Sequence, residues 1–334
     1  MDLVIVGGGL MGLSAAWAAA KRGAKVTLVD ARPLINELNA SNDESKVFRF
    51  AYGAQRKYVQ LAKRAFVGWR ELEDESGRTL LHQTGLLMFG PAGGFHQQSA
   101  RTLLEMGEPV QLVRGPIPGF ARIEEAVVDP HGGWLDARAC LRALEERAIA
   151  HGATVRRGVA AKSVREGEVA LDDGTVLRAR AVVVAAGFQA PRVVPALRGR
   201  IRVTRQPELF FDPPGDFPET MTFAAFEEGF YGFPRMYGAV KVADHTKGPS
   251  VVDYEHRPPV TAKEVNAARA WLRSRVPELA ERPLARSRIC LYDNSADDDF
   301  ILGKADGVTV GAGFSGHGFK FGPAIGEELA RLAL

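Results

Sequence analysis

The order of apolar and polar positions divides the first thirty residues into a strand, a helix and a second strand. Residues 3–6 form a short apolar run, and residues 11–22 carry the apolar and small side chains of a helix. Residues 25–29 form the second strand. The pattern therefore predicts a βαβ unit at the amino terminus.

A glycine-rich turn joins the first predicted strand to the helix. Gly7, Gly9 and Gly12 match the pattern G-x-G-x-x-G. Gly7 makes the tight turn, Gly9 lets the backbone approach a pyrophosphate, and Gly12 lets the helix pack close to the strand. The helix N-terminus offers N–H groups and a partial positive charge to the phosphates, and Asp30 ends the second strand where a carboxylate binds ribose hydroxyls. We therefore predict dinucleotide binding, with either a nicotinamide or a flavin.

Further elements of the same type recur in the middle and at the end of the chain. They are an amphipathic helix at 134–150, a strand at 154–157, a hairpin around 172–174, an apolar strand at 179–187, a strand at 308–311, a glycine-rich turn at 313–318 and a terminal helix to residue 334. The nucleotide-binding part is therefore expected to be discontinuous.

Two segments of different character interrupt these elements. Residues 85–129 and 202–284 are predicted to form mainly strands, with one helix at 262–275, and the second segment is rich in aromatic residues and prolines. A single substrate-binding domain assembled from two insertions explains this order better than two domains in tandem. We predict an α/β fold in which a discontinuous Rossmann-like domain (1–84, 130–201 and 285–334) carries an inserted α+β domain (85–129 and 202–284) on a mainly antiparallel sheet.

Composition narrows the class of protein further. Of the 334 residues, 46% are hydrophobic and 25% are charged, which argues against long disorder or a coiled coil. A formal net charge of +3 does not indicate a basic surface for nucleic acid. Two cysteines, Cys140 and Cys290, fit a reducing compartment, and glycines interrupt the apolar run near the amino terminus. We expect a cytoplasmic protein that binds neither nucleic acid nor a membrane, and no residue spacing predicts a metal site.

Five segments carry a family resemblance. They are residues 7–30, S-N-D-E-S-K-V-F-R-F-A-Y-G at 41–53, G-F-Y-G-F-P at 229–234, C-L-Y at 290–292 with D-F-I at 299–301, and G-F-S-G-H-G-F-K at 313–320. With these segments the chain resembles the FAD-dependent amine oxidases related to D-amino-acid oxidase. Within them it is similar to the branch of monomeric sarcosine oxidase, N-methyltryptophan oxidase, pipecolate oxidase and the fructosyl amino acid oxidases.

The resemblance implies FAD as the cofactor and a small-molecule amine as the substrate. A hydride would leave the carbon next to a secondary amine nitrogen, the imine would be hydrolysed, and dioxygen would accept the electrons to give hydrogen peroxide. A dehydrogenase that passes electrons to a quinone or carrier, and a non-catalytic flavoprotein module, are the alternatives. N-methyl amino acids, cyclic imino acids and sugar-derived amino acids all fit as substrates, and we expect a monomer.

The resemblance also implies which residues bind the cofactor. These are Gly7, Gly9, Leu10, Met11, Gly12, Asp30, Ser41, Lys46, Ala186, Gly187, Cys290, Gly313, Gly316, His317, Gly318, Phe319 and Lys320. From the sequence alone Cys290 is a buried, inert thiol, whereas the resemblance implies a thioether from its sulfur to the flavin 8α carbon. The turn from Gly316 to Phe319 would present N–H groups to the negative charge of reduced flavin, and His317 either contacts flavin or caps the turn.

A second implied set surrounds the substrate. It consists of Lys46, Arg49, Tyr231, Lys241, His245, Tyr292 and Lys320. Arg49 matches an arginine that binds the substrate carboxylate through two hydrogen bonds, and Lys320 matches a lysine that helps to hold it. Lys46 and Asn42 stand where sarcosine oxidase has arginine and histidine, which weakens the case for sarcosine itself.

Lys241 resembles a lysine beside flavin N5 that speeds the reaction with oxygen, because a fixed cation stabilises superoxide as it forms. Strand alternation next to Val240 and Val242 also permits a lysine that faces outward. Tyr231 and Tyr292 would form the wall of the amine pocket. The acidic run 297–299 is expected to form a solvated loop.

Overall fold

A computed structural model describes residues 1–215, residue 217 and residues 221–334. Within these residues no helix is both long enough and apolar enough to cross a membrane. The strands of this part of the chain are β1 (Leu3–Val6), β2 (Val26–Asp30), β3 (Ser45–Phe48), β4 (Leu81–His82), β5 (Leu86–Met88), β6 (Gln111–Arg114), β7 (Glu125–Asp129), β8 (Gly133–Asp136), β9 (Thr154–Arg157), β10 (Ala161–Arg165), β11 (Glu168–Leu171), β12 (Val176–Arg178), β13 (Ala181–Val184), β14 (Arg202–Phe211), β15 (Thr222–Ala225), β16 (Phe230–Met236), β17 (Ala239–Asp244), β18 (Leu284–Asn294), β19 (Ile301–Ala305) and β20 (Val308–Ala312).

The helices fall between these strands. They are α1 (Leu10–Lys21), α2 (Arg56–Ser76), α3 (Phe95–Glu105), α4 (Ala137–Ala150), α5 (Ala190–Val193), α6 (Ala262–Arg275), α7 (Pro277–Ala280) and α8 (Gly322–Ala333). Short 3₁₀ turns lie at Gly187–Gln189, Pro195–Leu197, Phe226–Glu228 and Phe319–Phe321.

A six-stranded sheet in the order β19-β20-β13-β1-β2-β9 contains the βαβ unit. β1 pairs in parallel with β13 on one side and with β2 on the other, and β19 is the antiparallel neighbour of β20. Leu3 and Ile5 pack with α1, α4 and α8, whereas Val4 and Val6 pack with the small sheet β10-β11-β12 on the other face. Both faces of β1 are therefore buried, and the predicted Rossmann-like architecture is confirmed.

The glycines of the first turn allow this close packing. A Cβ on Gly12 would lie 1.8 Å from the carbonyl oxygen of Gly7, so only glycine lets α1 start this near the end of β1. Gly7 has φ +106°, and a Cβ there would lie 2.5 Å from the carbonyl oxygen of Ala185 on the neighbouring chain segment. The steric roles predicted for both glycines are confirmed.

The second large sheet has eight strands in the order β18-β14-β17-β16-β15-β5-β7-β6. Its pairs are antiparallel except for β5 and β15. α6 has the predicted bounds and begins with a capping box between Thr261 and Glu264. The predicted antiparallel sheet is confirmed. The domain boundaries stay a prediction. β18 lies in this sheet, although residues 285–294 were assigned to the nucleotide-binding domain.

The prediction of a helix over residues 134–150 is wrong in its first turn. Trp134 lies on β8, which pairs with β3 and β4, and its ring stacks on His82 with centroids 3.9 Å apart. Asp136 ends β8 and accepts a hydrogen bond from the N–H of Ala139, so the helix starts at Ala137. The N-cap and the strand pairing decide the boundary, and the helical pattern alone does not reveal either.

Candidate functional site

A long cavity lies along the carboxyl ends of the parallel strands, where ligands bind in open α/β sheets. The first glycine turn, the segment after β2, the turn after β13, β18 and the C-terminal glycine turn form its walls. Of the residues predicted to bind the cofactor, those that line it are Gly7, Gly9, Leu10, Met11, Asp30, Ser41, Lys46, Ala186, Gly187, Cys290, Gly316, Gly318 and Phe319. The fold therefore brings most of the predicted set together.

The amino end of α1 forms one end of the cavity wall. Gly9 precedes the helix and has no side chain with which to cap it. The N–H of Leu10 donates a hydrogen bond to Oγ of Ser41 at 3.2 Å. Backbone N–H groups at a helix start, together with the helix dipole, form a site suited to phosphate.

Asp30 lies at the end of β2 and also lines the cavity. Its carboxylate accepts hydrogen bonds from the N–H of Gly8 and from the N–H of Arg32 at 2.8 Å. These bonds fix the carboxylate beside the glycine turn. An acid in this place suits the hydroxyls of a ribose.

Cys290 lies on β18, with its thiol facing the cavity. The residue is 4% exposed, and the Nζ of Lys46 lies 3.7 Å from its Sγ. Burial raises the pKa of the thiol, and the ammonium of Lys46 partly opposes this effect. Cys290 is thus a cavity-facing thiol with a cation at its sulfur, whereas Cys140 lies on the buried face of α4, in the core.

The C-terminal glycine turn closes over Tyr292. Gly316 has φ +72°, and a Cβ there would lie 2.2 Å from the Tyr292 ring. Asp293 accepts a hydrogen bond from the N–H of Gly313 at 3.0 Å, and burial raises the pKa of this carboxyl to about 6. Gly313 itself therefore holds the turn in place rather than lining the cavity.

A second, smaller pocket adjoins the first at Tyr292, which lines both. The residues of this pocket are Arg49, Tyr52, Gln55, Tyr58, Phe95, His245, Lys247, Tyr292, Asp297, Asp298, Asp299, Ser315 and His317. Three residues of the predicted substrate set, Arg49, His245 and Tyr292, lie here. A small molecule in this pocket would lie beside the contents of the long cavity, near Tyr292.

Arg49 is buried among aromatic rings. Its guanidinium carbon lies 3.9 Å from the ring centroid of Tyr52 and 4.6 Å from that of Phe226. The carboxylate of Asp129 accepts hydrogen bonds from the N–H groups of Phe50 at 2.6 Å and Ala51 at 3.0 Å, which fixes the backbone beside Arg49. Burial lowers the pKa of Arg49, and the structure pairs it with no carboxylate in the described residues.

Lys320 lies on the 3₁₀ turn before α8, not in the first turn of the helix. Its Nζ donates hydrogen bonds to Oη of Tyr52 at 3.0 Å and to the carbonyl oxygen of His317 at 2.6 Å. Burial, and then the charges of Arg49 and Lys46, hold the pKa of Lys320 well below its usual value. Lys320 lines neither cavity and reaches the second pocket through Tyr52.

Two histidines of the pocket are neutral. Burial and the charges of Arg49 and Lys320 lower the pKa of His245 to about 4, and burial and Lys320 lower that of His317 to about 3. Nδ1 of His245 lies 3.4 Å from Oη of Tyr292. His317 lines the second pocket rather than the long cavity.

The outward-facing position that strand alternation permitted for Lys241 is wrong. Its side chain is 1% exposed, which excludes the outward-facing strand lysine, yet it lines neither pocket. Its Nζ lies 2.5 Å from Asp43 and 2.9 Å from Glu208. Tyr231 also lines neither pocket, and its ring centroid lies 6.2 Å from that of His245. The roles of both residues stay predictions.

Lysines form ion pairs with the acidic run 297–299 on the rim of the second pocket. Asp298 pairs with Lys247 and Asp299 with Lys57, both at 2.5 Å, and Tyr58 donates to Asp299 at 2.8 Å. The side chains of this run, which was expected to form a solvated loop, are thus only about half exposed.

Sequence reasoning missed several residues of this region. Tyr52 and Asp43 lie within the 41–53 segment that carries the resemblance. Their place in that segment was the one indication that they belong to the site. Glu208 and Arg288 meet only through the register of β14 and β18. A single sequence does not reveal that register.

Comparisons with known proteins agree with this geometry. Residues 2–332 match the model of the DAO family, described as FAD dependent oxidoreductase. Monomeric sarcosine oxidase from Bacillus sp. (strain NS-129) is 32% identical over 363 residues, which cover 99% of this chain and 92% of the relative. N-methyl-L-tryptophan oxidase from Yersinia pestis (strain Pestoides F) is 28% identical over 355 residues, which cover 99% and 94%.

A solved structure shows the same architecture over nearly the whole chain. NikD, an amino acid oxidase essential for nikkomycin biosynthesis, superposes in its open form with a TM-score of 0.82 and 25% identity, covering 99% of this chain and 93% of that one. The family match over almost every residue, the similar oxidases and the cavity at the Rossmann-like turn lead to one conclusion. The chain belongs to the DAO family of FAD-dependent oxidoreductases.

Proposed function

We propose that the protein oxidises the carbon–nitrogen bond of a small amino acid that carries a secondary amine, and that dioxygen is the electron acceptor. Bound FAD supplies the chemistry by accepting a hydride from the carbon next to the amine nitrogen. The imine product is then hydrolysed by water. The residues of the two pockets bind, orient and desolvate the substrate.

The residues of the long cavity fit FAD. The uncapped start of α1 is suited to the pyrophosphate, and the carboxylate of Asp30 is suited to the ribose hydroxyls. The C-terminal turn and Cys290 lie at the part of the cavity nearest the second pocket, where Tyr292 is shared. This order supports an isoalloxazine ring next to the second pocket.

The observation that carries the proposal is the pair of buried cations at the second pocket. Neither Arg49 nor Lys320 forms an ion pair within the described part of the chain, and burial lowers the pKa of both. A buried cation without an ion-pair partner is unfavourable, and Asp129 acts on Arg49 only from beyond ion-pair distance, so an anionic ligand group would stabilise the pocket. The planar guanidinium and the ammonium together suit the carboxylate of an amino acid.

The same cations favour the reactive form of the amine. Only an unprotonated amine readily releases a hydride from the neighbouring carbon, and nearby positive charge disfavours the ammonium form. His245 is neutral because its pKa lies near 4, so it adds no charge at neutral pH. Its contact with Tyr292 holds the tyrosine in place at the edge that the two pockets share.

The similar proteins act on N-methyl compounds by name, sarcosine in one case and N-methyl-L-tryptophan in another. This supports N-methyl amino acids as the first substrates to test, followed by cyclic imino acids and sugar-derived amino acids.

The flavin is proposed to be attached to Cys290. The sulfur–carbon bond replaces one C–H bond of a flavin methyl group, and the two protons and two electrons that leave are accepted by dioxygen to give hydrogen peroxide. The cavity-facing thiol with Lys46 at 3.7 Å supports this attachment. Cys290→Ser should yield protein whose yellow colour is released by acid, while the matched control Cys140→Ser retains its colour. Acid release from the wild-type chain would show that the bond is absent.

An anaerobic screen of amines tests the function. Loss of flavin absorbance on mixing identifies the substrate, and admission of oxygen then tests for peroxide. Each candidate amino acid is compared with the amine that lacks its carboxylate. The proposal is contradicted if the carboxylate makes no difference or if no secondary amine bleaches the flavin.

A dehydrogenase that passes electrons to a quinone or carrier is the second candidate. It is favoured by the environment of Lys241, whose charge is compensated by Asp43 and Glu208 and which does not line the cavity. Slow oxygen uptake with fast reduction of an artificial dye would identify it. Membership of an oxidoreductase family disfavours the third alternative, a non-catalytic module. A monomeric state and a cytoplasmic location stay predictions.

A further inference from the structure

Three buried charges and the partly exposed Arg288 form a closed ring beside Lys46, which lines the long cavity. Lys241 bridges Asp43 at 2.5 Å and Glu208 at 2.9 Å. Arg288 closes the ring, with nitrogens 3.3 Å from Asp43 and 3.2 Å from Glu208. Two cations alternate with two carboxylates, so the ring has no net charge.

Lys46 is a fifth, surplus charge attached to this ring. Its Nζ lies 2.8 Å from Asp43 and 3.9 Å from Glu208, and it lies 3.7 Å from Sγ of Cys290 on the other side. Lys46 lines the cavity, whereas the four ring members do not. The five residues therefore carry one net positive charge, and the ammonium that faces the cavity is that of Lys46.

The register of the strands builds this arrangement. Glu208 on β14 faces Arg288 on β18, and Gln206 faces Cys290 two residues further along. Side chains two residues apart on a strand point to the same face, so Arg288 and Cys290 share one face of β18. The ring is thus placed next to the thiol by backbone hydrogen bonds.

Stability does not explain a ring of this kind well. Buried ion pairs are often no more stabilising than apolar side chains of similar volume, because each ion must leave water. Oε2 of Glu208 and Nε of Arg288 also lack a well-formed hydrogen bond, although they lie close together. Despite burial, Asp43 and Glu208 raise the pKa of Lys46, so Lys46 stays charged and the ring sets the net charge of its surroundings.

The cations and the carboxylates of this group shift the pKa of the Cys290 thiol in opposite directions. Burial raises the pKa of Cys290, Lys46 and Arg288 lower it, and Glu208 and Asp43 raise it. The other groups that face the thiol are the phenols of Tyr231 and Tyr292 and the guanidinium of Arg257. Arg257 donates a hydrogen bond to the carbonyl oxygen of Ile289 at 2.9 Å. Lys241 affects the thiol only through the two carboxylates that it pairs with. The two phenols and Arg257 are retained in the variants described below.

We propose that Glu208 and Arg288 are positioning residues which set, in opposite senses, the net charge around Lys46, next to Cys290 and the adjoining cofactor cavity. The inference rests on the proposed placement of FAD in that cavity. It needs neither the identity of the amine nor the covalent bond.

The test compares Glu208→Gln, Arg288→Met and the double variant in the full-length chain. Chain made under riboflavin limitation is alkylated with iodoacetamide over a range of pH, and mass spectrometry follows Cys290 separately from Cys140. Because a charge this near shifts a pKa by roughly one unit or more, Glu208→Gln should move the alkylation midpoint about one pH unit lower and Arg288→Met about one unit higher. The double variant should return close to the wild-type value.

The flavin-loaded chain gives a second readout of the same charge. Spectral titration follows the ionisation of flavin N3–H, which extra positive charge favours, so Glu208→Gln should lower its midpoint and Arg288→Met should raise it. Glu264→Gln is the matched control, since it removes a carboxylate from an ion pair with Arg205 of β14 at 2.6 Å, outside the ring.

Shifts of the same sign in the two single variants, or a double variant that does not return to the wild-type midpoint, would overturn the inference. Damage to packing would expose Cys290 in both variants and move both midpoints in the same direction. If Glu208→Gln does not fold, Asp43→Asn removes the other carboxylate of the ring and must give the same downward shift. Failure of the amine screen leaves these midpoints unaffected, so the two proposals are tested separately.

Discussion

The ammonium of Lys320 donates a hydrogen bond to the hydroxyl of Tyr52 at 3.0 Å, while the guanidinium of Arg49 lies over the ring of the same tyrosine, 3.9 Å from its centroid. Two buried cations therefore meet at one aromatic side chain. Within the described residues no carboxylate pairs with either of them. Such a site is incomplete without an anion, and the second pocket gives that anion a place to bind.

Arg49→Met should weaken the binding of amino acid substrates. Loss of a charge-assisted hydrogen bond costs about 1.5–3 kcal/mol, which corresponds to roughly ten- to a hundredfold in KM. The amine that lacks the carboxylate should be affected much less. Steady-state kinetics with both compounds measures the difference.

Arg49→Lys is the matched control for this variant. It keeps the positive charge but lacks the planar fork, so we expect an intermediate KM if two hydrogen bonds hold the carboxylate. Equal losses with the amino acid and with its decarboxylated amine would contradict a carboxylate role for Arg49.

Lys320→Met should stabilise the substrate-free protein while it weakens substrate binding. The fold lowers the pKa of Lys320, so its charged form is disfavoured, and each unit of lowering costs about 1.4 kcal/mol at neutral pH. The unfolded chain binds more protons than the folded chain between the two pKa values, so this lysine makes wild-type stability rise with pH in that range. We expect Tm to increase by a few degrees in the variant and its alkaline dependence to become weaker. A lower Tm, measured calorimetrically without substrate, would contradict an uncompensated charge.

Local pattern was sufficient to predict the Rossmann-like unit. The apolar run of β1 is buried on both faces, and Gly7 and Gly12 are required by clashes that would occur within 2.5 Å. The same local reasoning predicted α6 with its observed bounds, and the structure shows a capping box between Thr261 and Glu264 at its start. These features depend on residues that are close together along the chain.

The charged part of the site depends on contacts between distant segments. Lys241 was predicted to lie beside flavin N5 or to face outward, and the outward alternative is wrong. Its side chain is buried against Asp43 and Glu208, which come from two other segments. Arg288 joins them only because β14 and β18 pair in one particular register. Strand alternation specifies which side chains share a face, but not what lies opposite them.

Gly12→Ala should disrupt the start of α1 and with it the binding of FAD. The new Cβ would lie 1.8 Å from the carbonyl oxygen of Gly7, so the helix must move away from β1. We expect a loss of about 1–3 kcal/mol in the free energy of unfolding and a higher dissociation constant for FAD. Denaturant unfolding and flavin fluorescence measure the two effects.

Gly23→Ala is the control for Gly12→Ala. Gly23 has φ +84° but open space around its Cβ position, so alanine there should cost about 1–2 kcal/mol through backbone strain alone. FAD binding should be unaffected. Weaker flavin binding in the control would show that the loss in Gly12→Ala reflects general destabilisation rather than the close approach.

Lys241→Met should slow the reaction of the reduced protein with oxygen, by on the order of a hundredfold, far more than it slows anaerobic reduction by the amine. The variant also leaves Asp43 and Glu208 with one cation fewer, and a broken buried pair costs about 3–5 kcal/mol. The double variant Lys241→Met with Glu208→Gln removes one charge of each sign, so the ring keeps its zero net charge and the stability loss should be smaller. Stopped-flow measurement of both half-reactions in both variants separates the two effects. Recovery of the oxygen reaction in the double variant would show that the charge balance of the ring controls this reaction. Equal slowing of both half-reactions in the single variant would show that Lys241 has no specific part in the oxygen reaction. The dehydrogenase would then be the better candidate.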